Sequence, residues 1–282
     1  MKVSSLLMIM ISFSCGAHAQ FSDTFDTLNP AWVTDRYAPA GFQSVPFLGG
    51  QSLQITIDQS GSSANRPAPT YTASFFNTQG DQRPVGIVGG WSLSAQVYVS
   101  SAFDTTTGQL VQTNLWAETG SSSANGEYAI MGFTNASPTN PLNPNASDRA
   151  FTFEIFDGTP ANPTSWFDVG LQSDFAFNAW HTLEETYTGT AFEYLLDGVV
   201  VDTVPDSNGE GLQTAFLEAY NFGQTDANGL NNYSVEWDNA IATAVIPEPK
   251  GFALALGLTS LGLAWTQRRL LTRIARISPA QL

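Results

Sequence analysis

Reaction chemistry needs side chains that can move a proton, attack a carbon or hold a metal, and this sequence offers a narrow choice of them. Its single Cys is Cys15 and its two His are His18 and His181. With the first nineteen residues set aside for the reasons given below, one imidazole and no thiol remain. That excludes disulfides, Cys nucleophiles and His- or Cys-built transition-metal sites. His181 follows Trp180 at the start of an alternating run, and no Gly-x-Ser-x-Gly elbow occurs, so it reads as a half-buried hydrogen-bonding histidine rather than a triad base. Carboxylates are left. Two of them acting on one bond from one strand must share a face about 5 Å apart. Glu154 and Asp157 are three residues apart, and the pleat turns them to opposite faces. Glu236 and Asp238 share a face but are followed by Ile241, so no acid/base pair emerges.

Binding chemistry is better represented. In 109–118, Val111, Thr113, Leu115 and Ala117 form one face, and Gln112, Asn114, Trp116 and Glu118 the other. In 150–157 the corresponding polar face is Thr152, Glu154 and Phe156. In 214–222 it is Phe216, Glu218 and Tyr220. Rings flanked by amides and acids suit sugars, whose CH faces stack on aromatics and whose hydroxyls seek side-chain oxygens. The three strands could thus compose a concave glycan-binding face. A register one residue off would instead bury Trp116, Phe156 and Tyr220 in the core.

Positioning such a face is the work of strands. Period-2 alternation recurs from 20 to 245, as in Leu53, Ile55, Ile57 and in Leu93, Ala95, Val97, Val99, while no helical period of useful length appears. One-sided alternation implies antiparallel sheets. Phe192–Leu196, Asp197-Gly198 and Val199–Val201 predict a hairpin with a type I′ turn. About a dozen such runs between Gly, Asn, Pro and Ser clusters predict an all-β, two-sheet antiparallel jelly roll. Loops are expected at 59–69 and 134–149. Residues 20–245 carry four Arg, no Lys and 24 acids, a net charge of −20. That field repels nucleic acid and anionic membranes.

The ends have another character. Residues 1–19 combine Lys2, an apolar run from Leu6 to Phe13 and Ala17-His18-Ala19, which predicts a cleaved signal peptide. Residues 246–282 combine Pro247, Glu248 and Pro249, an apolar stretch from Gly251 to Trp265, and the basic stop Arg268, Arg269, Arg273 and Arg276. This tail resembles the PEP-CTERM sorting signal of diderm bacteria. The resemblance implies a transmembrane helix before processing, an exosortase-type processing enzyme as partner, and a destination at the cell envelope, cell surface or extracellular matrix. Lys250, where a small hydroxyl residue is usual, departs from the pattern.

Between the ends, Trp180-His181-Thr182-Leu183 with Tyr187, Gly189, Phe192, Tyr194 and Asp197-Gly198 resembles the laminin-G-like and concanavalin-A-like sandwiches. Phe25-Asp26 with Trp32 and Val235–Asn239 look like their first and last strands. Enzymes of laminarinase and agarase type on this fold carry Glu-x-Asp-x-x-Glu on one strand, which neither acid pair above completes. Jelly-roll relatives often hold a structural calcium ion where the last strand's Asp meets the first strand. That would be Asp238 with Asp23 or Asp26, unless Asp238-Asn239 merely bonds backbone at a sheet end. The resulting expectation is a non-enzymatic surface protein that binds glycan or exopolysaccharide, with a divergent polysaccharide hydrolase or lyase as the alternative.

Overall fold

The computed structural model describes residues 19–66, 74–105, 108–120, 127–136, 150–157, 165–205, 211–223 and 232–245. The chain divides into two units, Met1–Val245 and Ile246–Leu282. The signal peptide up to residue 18, the motif Pro247-Glu248-Pro249, the apolar tail and its four arginines lie outside the described residues, as does nearly all of loop 134–149. Among the described residues no helix is long and apolar enough to cross a membrane.

Fifteen strands run through the described part of the first unit: β1 (Ala19–Asp23), β2 (Val33–Thr34), β3 (Gly41–Phe47), β4 (Gly50–Ile57), β5 (Thr78–Pro84), β6 (Trp91–Val99), β7 (Gln112–Thr119), β8 (Glu127–Thr134), β9 (Thr152–Asp157), β10 (Ser165–Gly170), β11 (Ala179–Tyr187), β12 (Ala191–Leu196), β13 (Val199–Pro205), β14 (Leu212–Tyr220) and β15 (Tyr233–Ala244). They form two antiparallel sheets. One has the order β13-β12-β11-β6-β15-β4-β3 with β1 also on β15; the other has the order β10-β9-β8-β7-β14-β5-β2. The two-sheet all-β sandwich is therefore the fold. Prolines stand on or near open edges: Pro46 in β3, Pro205 in β13, and Pro84 in β5 just past the two-residue β2.

Alternation builds the core. β6 buries Trp91, Leu93, Ala95, Val97 and Val99 completely, and the intervening residues are half-exposed. Large rings on the eight-stranded sheet, such as Trp91, Tyr187 and Trp237, are accommodated by small residues on the other, among them Ala117, Ala129, Ala215 and Ala219. Such large-on-small interlocking is how dense interiors avoid voids. The sheets are also joined by polar bonds. Trp237 Nε1 donates to Thr113 Oγ1 at 3.0 Å, and that hydroxyl donates to the Glu218 carbonyl at 2.7 Å. The Tyr233 hydroxyl reaches the Tyr220 carbonyl at 2.7 Å and the Gln112 carbonyl at 3.0 Å. β15 thus fixes the backbones of β7 and β14, the two central strands of the opposite sheet.

The 192–201 hairpin forms with Asp197 at φ 51° and Gly198 at φ 79°, values that a type I′ turn demands. The first strand differs from expectation. It is Ala19–Asp23, and Phe25 follows it in a left-handed conformation, φ 52°, which turns its ring inward against Trp32 at full burial.

Candidate functional site

Residues that alternate away from the core on the seven-stranded sheet line a cleft of about 380 Å³. β7 supplies Gln112, Asn114, Trp116 and Glu118; β8 supplies Tyr128 and Ile130. Phe156, Trp166, Phe216 and Tyr220 add rings from β9, β10 and β14, and Asp35 and Arg36 close one side from the segment after β2. Three strands identified in sequence therefore do present Gln112, Asn114, Trp116, Glu118, Phe156, Phe216 and Tyr220 to one cavity. Glu154 and Glu218 lie beneath it, 1% and 0% exposed. Thr152 turns aside, its hydroxyl donating to Asp168.

One cross-strand row organises the floor. Gly80, Glu218, Asn114, Gly132, Glu154 and Asp168 are successive partners across β5, β14, β7, β8, β9 and β10. The two glycines make room for their neighbours. A Cβ on Gly132 would lie 2.0 Å from Asn114 Oδ1 and 2.1 Å from the Thr113 carbonyl; one on Gly80 would lie 3.0 Å from Glu218 Oε2 and 2.1 Å from the Leu217 carbonyl. Side chains from the row can therefore lie along the sheet instead of rising from it. Glu154 Oε1 accepts from Gln112 Nε2 at 2.8 Å. It also accepts from the Asn114 amide nitrogen at 3.2 Å, with that amide oriented to satisfy its neighbours.

At the other side of the row Arg36 bonds Asp35, reaches Glu218 Oε1 at 3.5 Å and lies 4.4 Å above the Trp116 ring. Trp116 is consequently a wall with one face occupied, and Phe156 and Trp166, 5.2 Å apart, supply the remaining aromatic surface. Burial pushes Glu218 well above the usual carboxylate range; Arg36 opposes this, and a hydrogen bond with Asp35 and the charges of Asp35 and Asp81 add to it. Burial likewise pushes Glu154 well up, against the Gln112 bond. The Tyr128 hydroxyl is raised chiefly by burial, with Glu118 and Asp35 raising it and Arg36 lowering it. Four buried polar atoms here lack a hydrogen-bond partner: Gln112 Oε1, Trp116 Nε1, Glu154 Oε2 and Glu218 Oε2. Their gathering under one groove makes it the candidate site, because natural interiors leave few such atoms unpaired.

The other candidates are placed elsewhere. His181 is 4% exposed; its Nε2 donates to the Ala176 carbonyl at 2.8 Å and its Nδ1 pairs with Asp197 at 2.7 Å, so both nitrogens are engaged structurally. Glu236 accepts from Gln54 at 3.1 Å on the outer face of the eight-stranded sheet. Asp23 accepts from the Phe25 N–H, Trp32 Nε1 and Arg83; Asp26 accepts from Thr24; and Asp238 accepts from the Asn239 N–H. Among the described residues no group of three His, Cys, Asp or Glu is placed to hold a metal ion.

Asp35, Arg36, Tyr128, Trp166 and the two glycines were not among the sequence candidates. Tyr128 and Ile130 could have been found from alternation in 127–134. Beyond its neighbour Asp35, nothing local to Arg36 signals its role, since its other partners in the cleft are 80 and 182 residues away.

No protein-family model matches the chain, and no curated protein matches it in sequence. Solved structures do match. A Bacteroides ovatus family-16 glycoside hydrolase of a mixed-linkage glucan locus, in complex with its product, aligns at TM-score 0.53 and 13% identity over 80% of this chain and 99% of that one. The catalytic domain of an endo-1,3-β-glucanase (laminarinase) from Thermotoga petrophila aligns at 0.53 and 9%, over 81% and 98%. A structure from work on human gut microbiota endo-acting O-glycanases that initiate mucin breakdown aligns at 0.51 and 10%, over 81% and 100%. At such identities the likeness is one of fold. These neighbours nevertheless overturn the expectation of a non-enzymatic surface protein, and they favour its alternative. The physical reason lies in the cleft: a search for an acid pair on one strand cannot see Asp35 and Glu118, which reach one cavity from the segment after β2 and from β7.

Proposed function

We propose that this chain is a divergent polysaccharide hydrolase that binds a neutral glycan in the cleft and cleaves a glycosidic bond there, acting on glucans of the kind named for its structural neighbours. The observation that carries the reading is the carboxyl arrangement around Trp116. Asp35 and Glu118 both line the cavity, and Arg36 links Asp35 to the buried Glu218, bonding the first and reaching the second at 3.5 Å. Hydrolysis needs one carboxyl that arrives protonated and one that arrives ionised. Burial keeps a proton on Glu218, and that proton passes by way of Asp35 to the glycosidic oxygen. That oxygen leaves with the proton as the C–O bond breaks. Glu118 supplies the carboxylate that attacks the sugar carbon or activates water. Tyr128, opposite Glu118 in the β7–β8 register, offers a hydroxyl to the same region. The net charge of −20 over residues 20–245 favours hydrolysis of neutral chains over lyase action on uronates, which that field repels.

The test is release of reducing ends from laminarin and mixed-linkage β-glucan by the purified protein. Cleavage that Glu118→Gln and Asp35→Asn each slow by roughly 100-fold or more supports the assignment. A wild-type protein that releases nothing from a broad panel of neutral polysaccharides refutes it.

Export and surface sorting form part of the same proposal, with the 1–19 segment as signal peptide and 246–282 as a PEP-CTERM-like tail read by an exosortase-type enzyme. Cell fractionation of a truncation at Val245 tests this. Envelope association should be lost, and unchanged partitioning removes the tail from the proposal.

A further inference from the structure

The hydrolase assignment leaves Glu154 unused, and its surroundings point to a separate task. Its Oε1 accepts two N–H bonds, from Gln112 at 2.8 Å and Asn114 at 3.2 Å, and is thereby the carbonyl-like oxygen of the group. Its Oε2 has no partner and no exposure. An ionised oxygen held this way is costly to bury, so the proton belongs on Oε2. Burial raising the affinity of Glu154 for its proton agrees with that placement. The result is an unpaired O–H donor on the residue bonded to Gln112, whose own Oε1 is an unpaired acceptor and which, at 1% exposure, lines the cavity. Ile130, Phe156 and Trp166 form apolar surface on the same strands, β8 to β10.

We propose that Gln112 and Glu154 form a sugar-recognition subsite, in which one glycan hydroxyl donates to Gln112 and accepts from Glu154 while the ring packs on Phe156 and Trp166. A hydroxyl satisfies both atoms at once, accepting from one and donating to the other, without any charge entering the site, and a water there does the same until a sugar displaces it. Glu154 then holds substrate and transfers no proton. Asn114 is a positioning residue: its amide holds Glu154 Oε1 as an acceptor and so leaves Oε2 as the donor. Gly132 is what allows that contact across β8, because any side chain there would occupy the path of the Asn114 amide.

This inference rests on the hydrolase reading and separates from it by experiment. Kinetic constants on laminarin and mixed-linkage β-glucan are measured for wild type, Glu154→Gln, Glu154→Leu and Gln112→Leu, with a melting curve for each. Gln is a neutral donor–acceptor like the protonated acid, so Glu154→Gln should raise KM clearly less than either Leu variant, each of which should raise KM about tenfold at nearly constant kcat. Loss of kcat in Glu154→Gln at unchanged KM would make Glu154 a catalytic acid and overturn the subsite. Unchanged KM in the Leu variants would overturn it too. If the Leu variants do not fold, Gln112→Ala and Glu154→Gln carry the same comparison. If wild type cleaves neither glucan, the hydrolase reading fails on these substrates and calorimetry with laminarihexaose reads the subsite alone. Weaker binding by Gln112→Ala then supports it, and binding that is equal or absent sinks it.

Discussion

The outer faces of the two sheets obey the same alternation and end in opposite states. On the eight-stranded sheet the outward row is polar and locally satisfied: Gln54 bonds Glu236, Thr56 bonds Ser234, Ser92 bonds Glu184 and Asn239 bonds Gln96. Its rings, Phe47, Tyr98 and Trp180, pack edge to face on one another at 4.9–5.8 Å. Apart from the Ser52 hydroxyl, no outward polar atom there is buried without a partner among the described residues. On the seven-stranded sheet the outward row carries acids and amides under a roof of rings, and four atoms remain unsatisfied. A face that pairs its polar groups with each other has nothing left to offer a ligand. A face that buries them unpaired holds a standing demand for one.

The largest test of this contrast is to neutralise one acid on each face. Glu118→Gln in the cleft should cost roughly 100-fold or more in kcat, and Glu236→Gln on the opposite face should leave it within about twofold. Reducing-end assays on both variants decide the matter, and equal losses would erase the distinction. Next comes packing. Gly132→Ala drives a methyl into the Thr113 carbonyl and Asn114, whereas Gly50→Ala meets only the Phe47 carbonyl at 3.9 Å. We expect the first to destabilise by about 1–3 kcal/mol and the second by well under 1, read from urea midpoints.

A smaller effect follows from protonation. Glu154, Glu218 and the core residue Glu185 are all raised by burial, and Asp81 is raised to about 6. A carboxyl whose folded pKa exceeds its unfolded value binds more protons when folded, so its contribution is full below the unfolded value and is lost as pH rises to the folded one. For Asp81 that window runs from 3.8 to about 6. The melting temperature should therefore fall from pH 5 to pH 8, and Asp81→Asn should flatten the acid part of the slope. A melting temperature that rises over that interval would contradict the assignment. The smallest effect on cleavage is expected from Trp180→Ala, which removes outer-face ring contacts of about 0.5–1.5 kcal/mol and should leave the reducing-end assay unaltered.

How much of this could be read from sequence depends on distance along the chain. The sandwich, the 192–201 hairpin and the outward faces of β7, β9 and β14 are local patterns of period two, and a single strand suffices to reveal them. Glu118 and Trp116 were visible for that reason. The Asp35–Glu218 pair was not, because it joins a two-residue edge strand's exit to a central strand 183 positions away, and only the folded register brings them together. Gly80 and Gly132 were silent for a related reason. What matters about them is the side chain they lack, and its meaning is set by Glu218 and Asn114 on neighbouring strands. The enzymatic reading stood only as the alternative in sequence on the same ground, since acids dispersed over three elements leave no motif.

The prolines at the sheet margins have a consequence of their own. An open strand edge is an invitation to a second copy, since its unpaired N–H and C=O groups can continue the ladder indefinitely. Pro46, Pro84 and Pro205 each delete one donor from such an edge, and β2, only two residues long, offers almost no template. A ladder interrupted in this way cannot propagate from molecule to molecule in register. Three of the four sheet margins thus resist continuing the ladder into a second copy, and β10, six residues without a proline, is the margin through which two copies would have to join.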